Sequence, residues 1–461
     1  VATDPAAPVL VRADRIHLAP GLGAAEPTPG TGLLVRAGRV EAVGDEAALR
    51  AQAPRAEVLD LAGLTVTPGL TDSHVHLLEW ALSRRGVDLT ATRSPGEAAR
   101  LVADAAKTAS PASTWVLGRG WNPHRWTGLP HRRQLDEVVP DRPALLQSLD
   151  MHSLWANTSA LQAAGIDAST PDPSGGRIER DADGEPTGIL RDNAMPLLQK
   201  IVPAVSDEER RIALEEAQKA LHGWGVTGVH TVEPDSLAFL EGARARDGLR
   251  LRVLQHLPIV RLEEAIRLGV RSGFGGDWLR IGGVKMFLDG ALGSLTALLR
   301  DPYAGTDDRG VATLPAAEFR ATVRRGSAAG LAMTVHAIGD AAMDLALDAL
   351  GDEGSALDGP VPHRIEHAQL IAGDRLGAGT DGPDPAFRRL VCSVQPSHLM
   401  TDWPAIDRHW GDRGRWAYAF RSIEAAGSTL ALGSDAPVDP PDPRLGLYAA
   451  VTRQDPDGGP D

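Results

Sequence analysis

A single cysteine, Cys392, stands in 461 residues. It excludes an intrachain disulfide and every cysteine-rich zinc motif, and a chain so poor in thiols suits a reducing compartment, so a cytoplasmic location is expected. Lysine is almost as scarce. Of 47 basic residues only Lys107, Lys200, Lys219 and Lys285 are lysine, so wherever this chain needs only a positive charge it uses arginine. Long apolar runs are missing too: Ile281–Leu288 is among the longest, far short of the roughly 20 residues that span a bilayer, and a membrane is not an expected partner. Basic residues are outnumbered by 61 acids, for a net charge of −14. That field repels phosphate backbones, and no local basic patch overrules it, which sets nucleic acid aside. No repeat of fixed period and no low-complexity tract occurs. Val1 holds the first position with no charged-then-apolar leader before the first strands, so the sequence is expected to begin after processing or trimming.

What is present reads as a folded protein of two units. Apolar types make up 43% and charged types 23% of the residues, near the globular average, and the length suits a (β/α)8 barrel with a smaller appendage. Residues 1–67 read as short strands at Val9–Val11, Gly32–Val35, Arg39–Val43 and Glu57–Leu61, separated by turn-forming residues. From Pro68 onward, apolar runs alternate with helical spacing. The eight runs are Leu70–His76, Gly225–Val232, Leu251–Val260, Leu279–Leu288, Leu331–Ala337, His363–Ala368, Val391–Gln395 and Thr429–Ser434. Eight alternating strands predict a closed parallel barrel. Without a large insertion at about 84–220, the span 69–436 leaves 231 residues, close to the ~250 a barrel typically needs. Asp207–Leu221 predicts an amphipathic helix with Gly223 as its C-cap, and DADGEPTG (181–188) predicts a hairpin.

The chemistry is carried by strand ends. In His74-Val75-His76, residues i and i+2 of a strand share a face, so both imidazoles point one way at the end of the first barrel strand. An isolated pair of this kind is more often two half-exposed loop histidines. Here the pattern recurs: His336, His367 and Asp435 each close a later strand, where barrel enzymes place their active-site groups. Neutral imidazoles are good zinc ligands, and a carboxylate can hold a metal while accepting a proton from water. Lys285 lies in an apolar strand, where burial lowers an ammonium pKa by as much as 3 to 5 units, roughly 4 to 7 kcal/mol. A neutral amine there can take up carbon dioxide and become a carbamate, which arginine cannot do. A snorkelling lysine, or a partner for Asp289, explains the same position about as well.

The set His74, His76, Lys285, His336, His367 and Asp435 resembles the metal-dependent amidohydrolase superfamily. The words GVKMFLDGALGS (283–294), HAIGD (336–340), RIEHAQ (364–369), GRGWN (118–122) and LDMHSLWANTSAL (149–161) look like its family 3 branch, which includes N-substituted formamide deformylases. The resemblance implies an α/β fold: a (β/α)8 TIM-like barrel over residues 68–461, the insertion after its first strand, and a small β-sandwich domain over 1–67. Family members continue past the eighth strand into elements that complete the small unit. This sequence stops at Asp461, so either it is incomplete or that unit is abbreviated.

The resemblance also implies two divalent metal ions, most readily zinc. His74, His76 and Asp435 would hold the first, His336 and His367 the second, and a carbon dioxide-derived carbamate on Lys285 would bridge them. A metal-bound hydroxide would attack the carbonyl of an N-substituted amide or formamide, and Asp435 would pass the proton to the leaving nitrogen. The expected activity is hydrolysis of carbon-nitrogen bonds other than peptide bonds in a small-molecule amide, with a homodimer as the assembly considered. Trp121 and His152, on the insertion, and Asp289, after the lysine strand, are the candidate substrate contacts; Trp115 and Trp126 read better as core. Asp340 reads as a helix cap. His230 and His256 read as hydrogen-bonded core residues, and Cys392 as a buried filler. Competing readings are a mononuclear deaminase of a heterocycle, against which Lys285 argues, and a catalytically silent ligand-binding barrel.

Overall fold

The computed structural model describes residues 7–17, 32–108, 115–122, 126–149, 153–173, 176–353 and 359–454. The chain divides into two compact units, residues 1–70 and 71–461. In the first, β1 (Val9–Ile16), β2 (Gly32–Arg36), β3 (Arg39–Gly44) and β4 (Glu57–Val66) form one sheet in the order β3-β2-β1-β4. Its small core is Leu10, Leu34, Leu49 and Ala53, the last two from the helix Glu46–Gln52 and its C-cap. The expected sandwich is therefore, among the described residues, a single sheet closed by a helix. That helix takes the apolar face a second sheet would need, while β4 buries almost nothing.

In the second unit, β5 (Leu70–Val75) opens an eight-stranded parallel sheet. The chain then leaves it to build a six-stranded sheet from β6 (Val87–Asp88), β7 (Val116–Trp121), β8 (Ala144–Ser148), β9 (Ser153–Ala156), β10 (Gly176–Arg180) and β11 (Pro186–Asp192), ordered β10-β11-β9-β8-β7-β6. β10 and β11 are the arms of the expected hairpin, whose turn is held by Asp181 Oδ1 accepting from the Asp183 and Glu185 amides. The helix Asp207–Gly223 leads back to the barrel. Its Ser206/Glu209 capping box fixes the start. It runs past the predicted end, so that Gly225, at φ +79°, makes the left-handed exit in place of Gly223.

The remaining barrel strands are β12 (Val226–Thr231), β13 (Arg252–Pro258), β14 (Leu279–Phe287), β15 (Met333–Ala337), β16 (Arg364–His367), β17 (Val391–Val394) and β18 (Thr429–Leu432), consecutive neighbours from β5 to β18. All eight fall within the predicted runs. This is a nearly closed TIM-like α/β barrel. The main core lies between strands and helices: Val284, Met286, Met333, Val335, Ile365, Cys392 and Val394 pack against Phe319, Val323, Ala346, Leu347 and Leu350. Burial pushes the Cys392 thiol up to about 12, which leaves it inert. Among the described residues no helix is long and apolar enough to cross a membrane.

One buried amide ties the six-stranded sheet together. Asn157 Oδ1 accepts from the Ala144 and Ala160 amides, both at 2.9 Å, while Nδ2 donates to the Val139 and Arg142 carbonyls, both at 2.8 Å. Asn157→Ala removes a helix cap and leaves buried backbone groups unpaired, so it is expected to destabilise the fold by about 3 kcal/mol. A urea transition with an unchanged midpoint would contradict this.

Candidate metal centre

The barrel closes where its first and last strands meet. Val75 bridges Ala436, the His76 amide donates to the Ala436 carbonyl at 2.8 Å, and the Asp435 amide donates to the His74 carbonyl at 2.7 Å. Asp72, just before the histidines, fastens the seam: its Oδ1 accepts from the His74 amide (3.1 Å) and the Ser434 amide (3.0 Å), and its Oδ2 from the Ser434 hydroxyl (2.6 Å). Burial raises its carboxyl to about 6. A Cβ on Gly433 would stand 2.6 Å from the His74 nitrogen, so the close approach of β18 to β5 requires glycine there. Glu233, after β12, accepts from the Leu78 and Glu79 amides and thereby caps the helix that begins just after His76.

These bonds bring His74, His76 and Asp435 together. Asp435 Oδ1 lies 3.4 Å from His74 Nε2 and 3.5 Å from His76 Nε2. The His74 ring is oriented from behind, because its Nδ1 meets Glu366 Oε2 at 2.5 Å. Glu366 is wholly buried, and burial opposes its charge, yet the Arg364 guanidinium and His74 outweigh that cost and hold its carboxyl well below the ordinary range. Arg364 pairs with Glu366 through Nε and Nη2, and donates through Nη2 to the Ser73 carbonyl and through Nη1 to His230 Nδ1. Burial lowers His74 in spite of the acids around it, so its imidazole is neutral. A neutral ring that donates Nδ1–H to Glu366 must turn the lone pair of Nε2 toward Asp435.

A lone pair facing a carboxylate oxygen at 3.4 Å repels it, unless a cation stands between them. Two ligands about 2.0–2.2 Å from a tetrahedral ion are themselves about 3.3–3.6 Å apart, which matches both distances at Asp435 Oδ1. Burial opposes ionisation of Asp435 as well, and only positive charge among the groups that face it, His74, His76 and His367, holds the carboxyl below its usual range, a charge that a bound cation would supply once the rings are neutral. The residues therefore fit a divalent ion held by nitrogen and oxygen donors.

The other candidates sit around the same mouth. Strict alternation along β16 would send His367 outward with Ile365, but left-handed backbone at His367 (φ +70°) and Ala368 (φ +45°) turns it inward. Its ring centroid is 4.4 Å from that of His336 and 5.0 Å from that of His74, and its Nδ1 is buried without a partner. Asp435 has the same unusual backbone, at φ +56°. His336 Nε2 donates to the Gly290 carbonyl at 3.0 Å, which leaves Nδ1 as the nitrogen with a free lone pair. Lys285 is buried, with Nζ 4.6 Å from the Phe287 ring centroid. Burial lowers it to about 8, although Glu366 and Asp435 pull the other way. Lys285 does not pair with Asp289. Asp289 accepts from the Leu298, Ile338 and Gly339 amides, lies 3.6 Å from His336 Nε2, and is raised by burial to about 7. It joins two loops beside His336.

Trp121 is not brought to the mouth. It is fully buried against Trp126 and Trp155, and its indole donates to the Leu146 carbonyl. The expectation that Trp121 contacts substrate while Trp126 is core is met only for Trp126, because Trp121 packs with it in the same core. His152 lies outside the described residues. Asp340 is the first residue of its helix, not the cap, and accepts from the Arg300 amide. His230 and His256 are hydrogen-bonded inside the barrel, His256 through Nδ1 to the Gly283 amide. Sequence reasoning missed Asp72, Glu233, Glu366 and His398. His398 joins His367 and Asp435 in a second group of closely spaced ligand atoms, beside that of His74, His76 and Asp435. A carboxylate two residues before HxH, and one just before His367, were the available signals.

Imidazoles and a carboxylate gathered at the C-terminal mouth of such a barrel define a metal-dependent hydrolase. The sequence model of the amidohydrolase family matches residues 57–460. YtcJ of Bacillus subtilis (strain 168) is 34% identical over 413 residues, 87% of this chain and 76% of that protein. The N-substituted formamide deformylase of Arthrobacter pascens is 30% identical over 459 residues, 93% of this chain and 81% of that one. A crystal structure of a metal-dependent hydrolase from Pyrococcus horikoshii OT3 superposes with a TM-score of 0.78 at 27% identity, covering 96% of this chain and 86% of that one. This chain belongs to the amidohydrolase family.

Glu366→Gln removes the charge that orients His74. It is expected to weaken metal binding by roughly 10- to 100-fold while the protein stays folded. Competition with a chelating dye measures this, and unchanged affinity would remove Glu366 from that role.

Proposed function

We propose that this protein hydrolyses a C–N bond in a small N-substituted amide or formamide-like molecule. The observation that carries the reading is the His74 lone pair turned on Asp435 by Glu366, an arrangement suited to a bound cation at the barrel mouth. The resemblance to an N-substituted formamide deformylase along most of the chain supports the substrate class. In this reading His74, His76 and Asp435 would hold one zinc ion, His336 through Nδ1 and His367 would hold a second, and Lys285, as a carbamate, would supply oxygen donors to both. A lysine lowered to about 8 by burial has a sizeable neutral fraction at neutral pH, which is the form that adds carbon dioxide.

When bound, the metal supplies a Lewis acid that polarises the carbonyl and makes water acidic enough to attack near pH 7. The protein's own residues do the rest. His74 stays a neutral donor of an electron pair, His76, which Asp435 raises against the effect of burial, would give up its proton to an ion, Glu366 and Arg364 fix the His74 ring, and Asp435 takes the proton from the attacking water. Asp435 then delivers that proton to the nitrogen as the C–N bond breaks.

Asp435→Asn keeps shape and one oxygen ligand but cannot accept the proton. It should retain much of its metal, as read by elemental analysis, and lose turnover. A near wild-type rate on an N-substituted formamide would remove Asp435 from proton transfer. Lys285→Ala should lose metal and activity and recover part of both with short-chain carboxylic acids, whose two oxygens replace the carbamate. Normal metal content without rescue would defeat the bridging role.

A further inference from the structure

GRGWN (118–122) lies at the end of β7, where the pairing with β8 slips between Arg119 and Trp121. Strict alternation would set those two side chains on one face of the sheet. The extra residue, Gly120 at φ +90°, reverses this, so Trp121 joins the core with Val116 and Leu146 while Arg119 turns the other way. Packing dictates both glycines: a Cβ on Gly118 would stand 2.9 Å from the Val87 carbonyl oxygen, and one on Gly120 would stand 2.5 Å from Thr90 Cγ2. Neither glycine accounts for the arginine between them.

The Arg119 side chain leaves the insertion for the barrel mouth. Its Nη1 donates to the carbonyl of Pro437, two residues after Asp435, at 3.5 Å, the long limit of a hydrogen bond. Its Nε is buried without a partner, and a buried N–H costs free energy until something accepts from it. Among the described residues the Pro437 carbonyl is the one acceptor for this guanidinium, which leaves the edge formed by Nε and Nη2 uncommitted. Arg364, by contrast, is fully engaged by Glu366, the Ser73 carbonyl and His230.

That edge offers two parallel N–H donors and one positive charge, which match the two oxygens and the single negative charge of a carboxylate. A phosphate monoester carries more negative charge than one uncommitted cation offsets. We propose that Arg119 binds a carboxylate of the substrate and so selects N-formyl amino acids among N-substituted amides. The proposal deepens the C–N hydrolysis above and rests on that reading: the acyl part of a formamide is a single carbon, so its carboxylate has to sit on the N-substituent. The insertion then holds the substituent, while Asp435 on the adjoining loop serves the nitrogen. Hydrogen bonds to charged groups are worth roughly ten- to a hundredfold in affinity, and the preference should be of that size.

The test uses the metal-replete protein and two readouts. Rates compare N-formylphenylalanine with N-(2-phenylethyl)formamide, which differ only in the carboxylate, and calorimetry compares the amines they release, phenylalanine and 2-phenylethylamine. Wild type should favour the first of each pair by roughly ten- to a hundredfold, with the rate difference carried by KM. Arg119→Ala should lose both preferences, and Arg119→Lys, which keeps the charge without the paired donors, should retain only part of them. Arg119→Gln provides the same comparison should Arg119→Ala fail to fold. Equal treatment of both pairs by wild type would overturn the assignment. A preference that survives Arg119→Ala would give the carboxylate to the metal ions and overturn it too, and so would weakened binding of formate in that variant without a preference in either pair, which would place Arg119 at the acid product. Amine preference without hydrolysis of either formamide would support Arg119 as the carboxylate site and refute the C–N reading. Hydrolysis with no preference would do the reverse.

Discussion

The closing of the barrel between β5 and β18 is the constraint on which the rest depends. His74 and Asp435 are far apart in sequence, yet a backbone hydrogen bond of 2.7 Å between them sets their side chains on one side of the same seam. Asp72 gives that seam three further bonds, and Gly433 leaves room for it. Neither strand end could hold a cation firmly in isolation, because two imidazoles or one carboxylate in water exchange their partners freely. Closure converts three ordinary side chains into a preorganised set of donors.

Electrostatics inside the mouth follow from that geometry. Burial disfavours every charge there, and the groups divide according to the partners they find. Glu366 stays ionised because the Arg364 guanidinium faces it, Asp435 needs positive charge beside it to do the same, and His74, His336 and His367 are driven toward the neutral form that a metal requires. Asp289 and Asp72 lack a cationic partner and are raised, so they act through backbone amides as struts. The strain stored in the left-handed backbone at His367 and Asp435 is held by the surrounding hydrogen bonds, and it aims both side chains where strand alternation would not.

Much of this was legible in the sequence, for identifiable reasons. Eight apolar runs at α/β spacing are a local signal, and so is HxH at a strand end; both read correctly without any knowledge of neighbours. Residues whose meaning comes from a distant partner did not read. Glu366 matters because His74 lies across the barrel, Glu233 because a helix begins after His76, and His398 because His367 and Asp435 arrive beside it from other strand ends. Trp121 shows the converse: its residue type and place on the insertion suggested a substrate contact, and only packing against Trp126 and Trp155 reveals a core. The small N-terminal unit was legible as strands, but whether a helix or a second sheet covers them depends on contacts that strand patterns do not encode.

Anomalous diffraction at the zinc edge, on crystals of metal-replete protein, bears most directly on the central claim. A peak about 2.0–2.2 Å from His74 Nε2, His76 Nε2 and Asp435 Oδ1 at once is the predicted result. Density that leaves those three atoms without a shared ion, or an ion bound elsewhere while His74 and Asp435 keep their present separation, would contradict it.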